Sequence, residues 1–308
     1  MTRRGFLLGT TALAVAGCAV RRRAFCGAGW KIALNPSTLR GYKLDFRQQV
    51  EVAVAAGYDG IEPWIRDLRA AQADGSLGDA VRFAKDRGLS FVNGIAFGEW
   101  ANPDPVRRAA GLEETKRDMA LLAEIGCPMI AASMFGIQKP GTPIEPLPAL
   151  TERYAAVLEL GRAAGVRPLL EYWGHSVNLC KVADALQVAA ATGDAQAGVL
   201  ADVYHTYRGG NSFETFRFLS PAVLPVLHVN DYPATPAADE LKDADRVYPG
   251  DGIAPWARIF RILSETGARP WLSLELFNPN YWNSTPLQTA RTGLAKTRTV
   301  CSRFTEEA

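Results

Sequence analysis

Four ionisable residues stand out because each sits at or near the end of a short apolar run of the kind that forms a buried strand. Pro168-Leu-Leu-Glu171, Gly198-Val-Leu-Ala-Asp202, Val226-Leu-His228 and Trp271-Leu-Ser-Leu-Glu275 each bring one carboxylate or imidazole into apolar surroundings. Burying such a charge unpaired costs several kcal/mol or more. Three carboxylates brought together would repel, and at least one would keep its proton. A divalent cation removes that conflict. Three oxygens and one imidazole suit Mn²⁺ first, with Mg²⁺, Co²⁺ or Zn²⁺ as alternatives, and leave room for substrate oxygens. Taken alone, a Glu at a strand end is more often a solvated loop residue, and a lone His more often a satisfied core residue. It is the recurrence over four successive strands that carries the metal reading.

The chain has three histidines, His175, His205 and His228, and all lie at or just beyond strand ends. His205 follows Asp202 by three residues, so it can face the same mouth as a substrate ligand. His175 is a second substrate contact, with a loop hydrogen bond as the equal alternative. Trp64, Trp173, Tyr204, Phe277 and Tyr281 follow or flank strand ends and are expected to cover a substrate ring or to pack a lid.

The elements that must position these residues recur as a unit. An amphipathic helix stops at Gly, a few residues follow, and a short apolar strand comes next. The stops are Gly57, Gly88, Gly126, Gly165, Gly193 and Gly267, where glycine accepts the left-handed conformation at little steric cost. Strands are predicted over Lys31–Asn35, Gly60–Trp64, Ser90–Ile95, Met129–Ser133, Pro168–Tyr172, Ala197–Asp202, Leu224–Asn230 and Trp271–Leu276. Helices are predicted over Phe46–Ala56, Leu112–Ile125, Leu150–Ala164 and Trp256–Thr266. Strands that alternate with helices pair in parallel through right-handed crossovers. Eight of them close into an α/β (β/α)8 TIM barrel, a single domain over residues 30–305, whose strand C-termini share one mouth. An open doubly wound sheet would need a Gly-rich phosphate turn after its first strand. Here that strand leads into Asn35-Pro36-Ser37-Thr38.

Residues 1–18 read as an export signal: Thr2-Arg3-Arg4-Gly5-Phe6 resembles a twin-arginine motif, and Val15-Ala16-Gly17-Cys18 a lipoprotein cleavage box. The expectation is a periplasmic protein anchored through a lipid on Cys18, with residues 19–29 as tether; a plain cleaved signal is the alternative. The remaining cysteines, Cys26, Cys127, Cys180 and Cys301, show no zinc spacing, and Cys127 and Cys180 read as buried small hydrophobes. The formal charge is +2, and Arg3 and Arg4 account for it; the body balances 32 basic against 32 acidic side chains. A neutral body gives no electrostatic footing for nucleic acid. No Gly-rich loop or basic cluster at a helix start offers a phosphate grip, so an unphosphorylated small-molecule partner is expected.

The stretches Glu171-Tyr-Trp-Gly-His175, Asp202-Val-Tyr-His205, His228-Val-Asn-Asp231, Asp245-Arg-Val-Tyr-Pro-Gly-Asp-Gly252 and Ser273-Leu-Glu-Leu-Phe-Asn-Pro-Asn-Tyr281 resemble the xylose-isomerase-like barrel family of sugar isomerases and epimerases, and within it the inosose (2-keto-myo-inositol) isomerases. The resemblance covers the second half well and the first half in general layout, with Glu62 after strand 2 in a familiar place. It implies that Glu171, Asp202, His228 and Glu275 hold the metal and that Glu171 and Glu275 also move protons. It further implies that His205 and Arg246 meet the substrate, with Glu62 nearby; Trp64, His175 and Tyr281, read from their places beyond strand ends, are expected beside them. The reaction so implied is isomerisation or epimerisation of a keto-sugar or keto-cyclitol through a metal-bound enediolate. A dehydratase or β-eliminating lyase using the same enolate is the alternative within the fold, and a non-catalytic sugar-binding lipoprotein the alternative outside catalysis. An apurinic endonuclease of the wider fold family would need more histidines than three and a basic face.

Overall fold

The structure is a computed structural model and describes residues 29–305. The export signal and the tether up to residue 28 therefore lie outside the described residues, as do Cys18 and Cys26. Eight strands run β1 Ile32–Leu34, β2 Gly60–Ile61, β3 Ser90–Phe91, β4 Met129–Ala132, β5 Arg167–Glu171, β6 Gly198–Asp202, β7 Val226–Val229 and β8 Trp271–Leu274. They lie in the order β3-β2-β1-β8-β7-β6-β5-β4, and all pairs are parallel. Gly94 then closes the ring: it donates to Met129 O at 2.8 Å and accepts from Ala131 N at 2.9 Å, joining the end of β3 to β4. The fold is a (β/α)8 barrel.

The outer helices are α1 Phe46–Ala56, α2 Ile65–Ala73, α3 Leu77–Asp86, α4 Pro105–Ile125, α5 Leu147–Ala164, α6 Val182–Ala191, α7 Val203–Arg208, α8 Trp256–Thr266 and α9 Pro286–Thr305. α1 starts at a capping box, in which the Asp45 side chain accepts from Gln48 N and the Gln48 side chain from Asp45 N. It stops at Gly57, φ 94°. The six predicted glycine stops all have positive φ. Strand ends are shorter than the apolar runs implied, most of all at β2 and β3. There Trp64 and Ile95 meet only as an isolated bridge, because the chain turns outward into the mouth.

The two-residue period of a strand sorts its side chains between two cores. Ala33, Leu169, Leu200 and Val226 point inward and fill the barrel with Val92, Ile95, Met129 and Ala131. Their neighbours Leu34, Leu170, Ala201 and Leu227 point outward against the helices. Two residues on from the inward layer lie Asn35, Glu171, Asp202 and His228. The same alternation on β8 turns Leu272 and Leu274 outward and Ser273 and Glu275 inward. Register completes the arrangement, with Asp202 paired to His228 and His228 to Ser273 across adjacent strands. Of the cysteines, Cys127 and Cys301 are buried, whereas Cys180 is half-exposed, contrary to its apolar sequence context.

Candidate active site

At the C-terminal mouth, Asp202, His228 and Glu275 each offer one donor atom, all within 4.8 Å of one another and all buried. His228 decides what this cluster can do. Its Nε2 lies 3.0 Å from Glu62 Oε1, and Glu62 is fully buried. A carboxylate only accepts, so Nε2 carries the proton and Nδ1 presents its lone pair. That Nδ1 faces Glu275 Oε2 at 3.2 Å and Asp202 Oδ2 at 3.5 Å, yet has no directional hydrogen-bond partner. Distance without alignment is not a hydrogen bond. A buried imidazole lone pair aimed at two carboxylate oxygens is repulsive unless a proton or a cation lies among them. Burial disfavours the imidazolium, but Glu62 and Glu275 outweigh it and hold the His228 pKa well above its usual value. The donor set, two carboxylates and a neutral imidazole whose far nitrogen is anchored by a carboxylate, suits a divalent cation.

Glu62 is therefore not a substrate contact, as its position after β2 suggested. Its Oε2 accepts from Asn35 Nδ2 at 2.8 Å and Ser273 Oγ at 2.6 Å, and its Oε1 from Asn93 Nδ2 at 2.8 Å. With His228 this fills its acceptor sites, away from the cavity. Burial works against its ionisation, but His228 and these donors hold its pKa below the usual carboxylate value.

Glu171 stands outside the triad, so three of the four expected ligands are gathered. It is 5 % exposed on the cavity floor with Glu275. Its pKa is pushed up to about 8, first by burial and then, against His228, by the negative charges of Glu275 and Asp202. Beside like charges and out of water, this carboxyl favours its protonated form.

Arg246, fully enclosed at 1 % exposure, reaches the cluster from the loop after β7. Its Nη1 donates to Glu275 Oε2 at 2.8 Å and contacts Asp202 Oδ2 at 3.3 Å, and its Nη2 donates to Asp243 Oδ1 at 2.6 Å. Nη2 also lies 3.1 Å from His205 Nε2. Burial opposes its charge, but Asp243, Asp202 and Glu275 keep it protonated. Its guanidinium carbon sits 4.3 Å from the Tyr204 ring centre and 5.0 Å from that of Phe277. His205 is held neutral, its pKa pushed down to about 3, mainly by burial. Asp202 caps α7 by accepting from His205 N at 2.6 Å, which ties the ligand to the helix bearing the histidine.

The loop carrying Arg246 is pinned by Asp231. Its carboxylate accepts from the backbone of Tyr232 and Ala254 (2.8 and 2.9 Å), from Gly250 N at 2.9 Å and from Trp256 Nε1 at 2.8 Å. Gly252 fits beneath it because a Cβ there would meet Tyr232 O at 2.2 Å. These contacts give a physical reason for the Asp245-to-Gly252 signature.

The mouth opens into a cavity of about 420 Å³. Trp64, Trp173, His175 and Phe277 line it, joined by Phe97 and Phe135, which the sequence reading missed. His175 lies on the wall, its ring stacked on Trp173 at 5.7 Å. Tyr281 does not line the cavity. It stacks on Tyr248 at 3.9 Å and its hydroxyl accepts from Tyr248 N, which makes it a support for the loop. Tyr204 lies beneath Arg246 rather than on the cavity wall. Asn35, Asn93, Ser273 and Asp243 were also missed. Asn35 and Ser273 were legible in principle, since each is two residues from an inward neighbour on its strand.

Fold and site define a parallel barrel with a buried carboxylate–imidazole triad at its C-terminal mouth. The chain belongs to the xylose isomerase-like TIM barrel family, which matches residues 50–300. Among curated relatives, an inosose isomerase of Bacillus velezensis is 25% identical over 266 residues, 84% of this chain and 93% of that one. A 3-dehydroshikimate dehydratase of Pseudomonas aeruginosa is 28% identical over 242 residues, 76% of this chain but 36% of its own length. Of solved structures, the IolI protein with a bound zinc atom superposes with a TM-score of 0.82 at 21% identity, covering 89% of this chain and 99% of that one. D-psicose 3-epimerase with D-fructose superposes at 0.74 with 17% identity, covering 88% and 99%. At these identities the superpositions speak for the fold.

Proposed function

We propose that this chain is a divalent-metal-dependent isomerase or epimerase of an unphosphorylated keto-sugar or keto-cyclitol. The observation that carries this reading is the buried, unpartnered Nδ1 of His228 facing Asp202 and Glu275, with its Nε2 proton taken by Glu62. Asp202, His228 and Glu275 would hold the cation, and Glu171 on the cavity floor would complete the set once its proton is displaced. A cation there would supply Lewis acidity to an α-hydroxyketone.

The chain's own residues supply the rest. Trp64, Trp173 and Phe277 give the ring apolar walls and exclude water. Glu171 and Glu275 border the cavity floor, where two carboxyl groups can take a proton from one carbon and return it to the next carbon or to the opposite face. The raised pKa of Glu171 suits a group that must both give and accept a proton near neutrality. Arg246 holds the Glu275 carboxylate in place and offers a positive charge beside a developing enediolate oxygen.

Dehydration by the same proton abstraction is the second reading, favoured by the relative named 3-dehydroshikimate dehydratase. NMR of products in D₂O separates the two, because isomerisation takes up deuterium at constant composition whereas elimination loses water. Glu171→Gln and Glu275→Gln should each keep the fold and remove turnover. Activity surviving in both would end the two-carboxylate mechanism. From Arg3, Arg4 and Cys18 we further propose export and a lipid anchor, tested by radiolabelled fatty-acid incorporation in the wild type against Cys18→Ala.

A further inference from the structure

The cavity has one wall whose charge the metal cluster does not use. Arg40 and Arg66 both line it, and both side chains lie against the indole of Trp64, their guanidinium carbons 5.4 and 4.4 Å from the ring centre. Arg40 is exposed and meets no carboxylate among the described residues. Arg66 has one, its sequence neighbour Asp67, at 3.2 Å on a side chain half open to solvent. Arg246, by contrast, is consumed by Asp202, Asp243 and Glu275.

The platform beneath these two cations is fixed relative to the chemistry. Trp64 Nε1 donates to Asn35 Oδ1 at 2.8 Å, and Asn35 Nδ2 in turn contacts Glu62 at 2.8 Å and Glu275 at 3.2 Å. Trp64 also occupies the N-cap of α2, so the platform and the helix that carries Arg66 are continuous in the chain. Contacts thus run from Arg40 and Arg66 through Trp64 and Asn35 to Glu275.

We propose that Arg40 and Arg66 form an anion subsite and that the substrate of this site carries a carboxylate: a keto-uronate or a carboxylated keto-cyclitol. This rests on the proton-transfer reading above and narrows its substrate class. Guanidinium groups bind planar carboxylates through paired hydrogen bonds, and stacking on an aromatic face pre-orients them for it. A carboxylate is favoured over a phosphate by the rest of the cavity. Asp243 and Glu275 line it too, and a dianion would meet more repulsion there than a monoanion. A molecule bound this way spans the cavity with its acid end on the Arg40/Arg66 wall and its hydroxyketone at the triad.

The test uses non-reacting probes as well as turnover. Binding of D-glucuronate, D-glucose and D-glucose 6-phosphate to the metal-loaded full chain would be measured by calorimetry in wild type and in R40M/R66M. Glucuronate should bind about tenfold or more tighter than glucose, and the preference should shrink in R40M/R66M and at high salt. Both arginines are surface side chains, and an unchanged unfolding temperature would establish that the variant folds. Equal binding of glucuronate and glucose, or a preference that survives R40M/R66M, overturns the subsite. Tighter binding of the phosphate overturns the carboxylate assignment. Deuterium exchange from D₂O into neutral and carboxylated keto-sugars reads the reaction separately. Exchange in neither sinks the isomerase reading while leaving the glucuronate preference to stand or fall by itself.

Discussion

Replacing Glu62 by Gln should weaken metal binding about 10- to 100-fold, although Glu62 is not itself a proposed ligand. The wild-type carboxylate accepts four hydrogen bonds, two at each oxygen. A Gln amide has one accepting oxygen, so its NH₂ must face either the Asn35/Ser273 pair or the Asn93/His228 pair. Facing Asn35, the NH₂ would meet another donor that cannot turn, because Asn35 Oδ1 already accepts from Ser37 N and Trp64 Nε1. Facing Asn93 is easier, since Asn93 Oδ1 is buried without a partner and can rotate to accept. His228 must then accept at Nε2, which leaves its one proton on Nδ1, between Asp202 and Glu275. A cation must displace that proton and restore a tautomer the variant no longer favours. The loss corresponds to about 1.4 to 2.7 kcal/mol in binding free energy. Calorimetric titration with Mn²⁺ or Co²⁺ reads the affinity. Long-range ¹H–¹⁵N spectra read the tautomer directly, in a chain with only three histidines. An affinity within threefold of wild type, with Nε2 still protonated, would refute the reasoning.

Metal binding at pH 7 should release protons, because His228 and Glu171, the latter with a pKa of about 8, are both protonated in the metal-free protein. The sign follows: cation and proton compete, so affinity rises with pH, and the share due to Glu171 fades above about pH 8. Calorimetry in buffers of different ionisation enthalpy measures the release, and none at pH 7 would contradict it. Leu200→Ala should destabilise the fold by about 2–5 kcal/mol, since Leu200 is fully buried in the barrel interior; denaturant unfolding reports it. Asp231→Ala leaves the N–H groups of Tyr232, Gly250, Ala254 and Trp256 without an acceptor, so it should cost about 1–3 kcal/mol or more and mobilise the Arg246 loop. Hydrogen exchange confined to residues 231–254 is the expected signature, and unchanged protection there would count against it.

The eight strands and the glycine stops were legible because each rests on a local rule, a short apolar run or a left-handed turn. The inward position of Glu171, Asp202, His228 and Glu275 follows from strand alternation and needed no contact information. What the sequence could not reveal depends on side chains meeting across strands. Glu62 appears as one more acidic strand end; only Asn35, Asn93, Ser273 and His228 converging on it reveal a buried acceptor rather than a substrate contact. Tyr281 appears as a lid aromatic until Tyr248 is found stacked on it. Arg40 and Arg66 lie 26 residues apart, in a 3-10 turn and the start of α2, and only Trp64 brings them to one wall. No periodicity encodes that meeting.

The knot of hydrogen bonds at Asp231 also constrains how this barrel can change over evolution. A segment tied to one carboxylate by three backbone N–H groups and one indole tolerates neither insertion nor deletion without freeing Arg246. New substrates must then be accommodated from the opposite rim. There the segments that follow β2, β3 and β4 carry Arg66, Phe97 and Phe135, none of which is bonded to the triad.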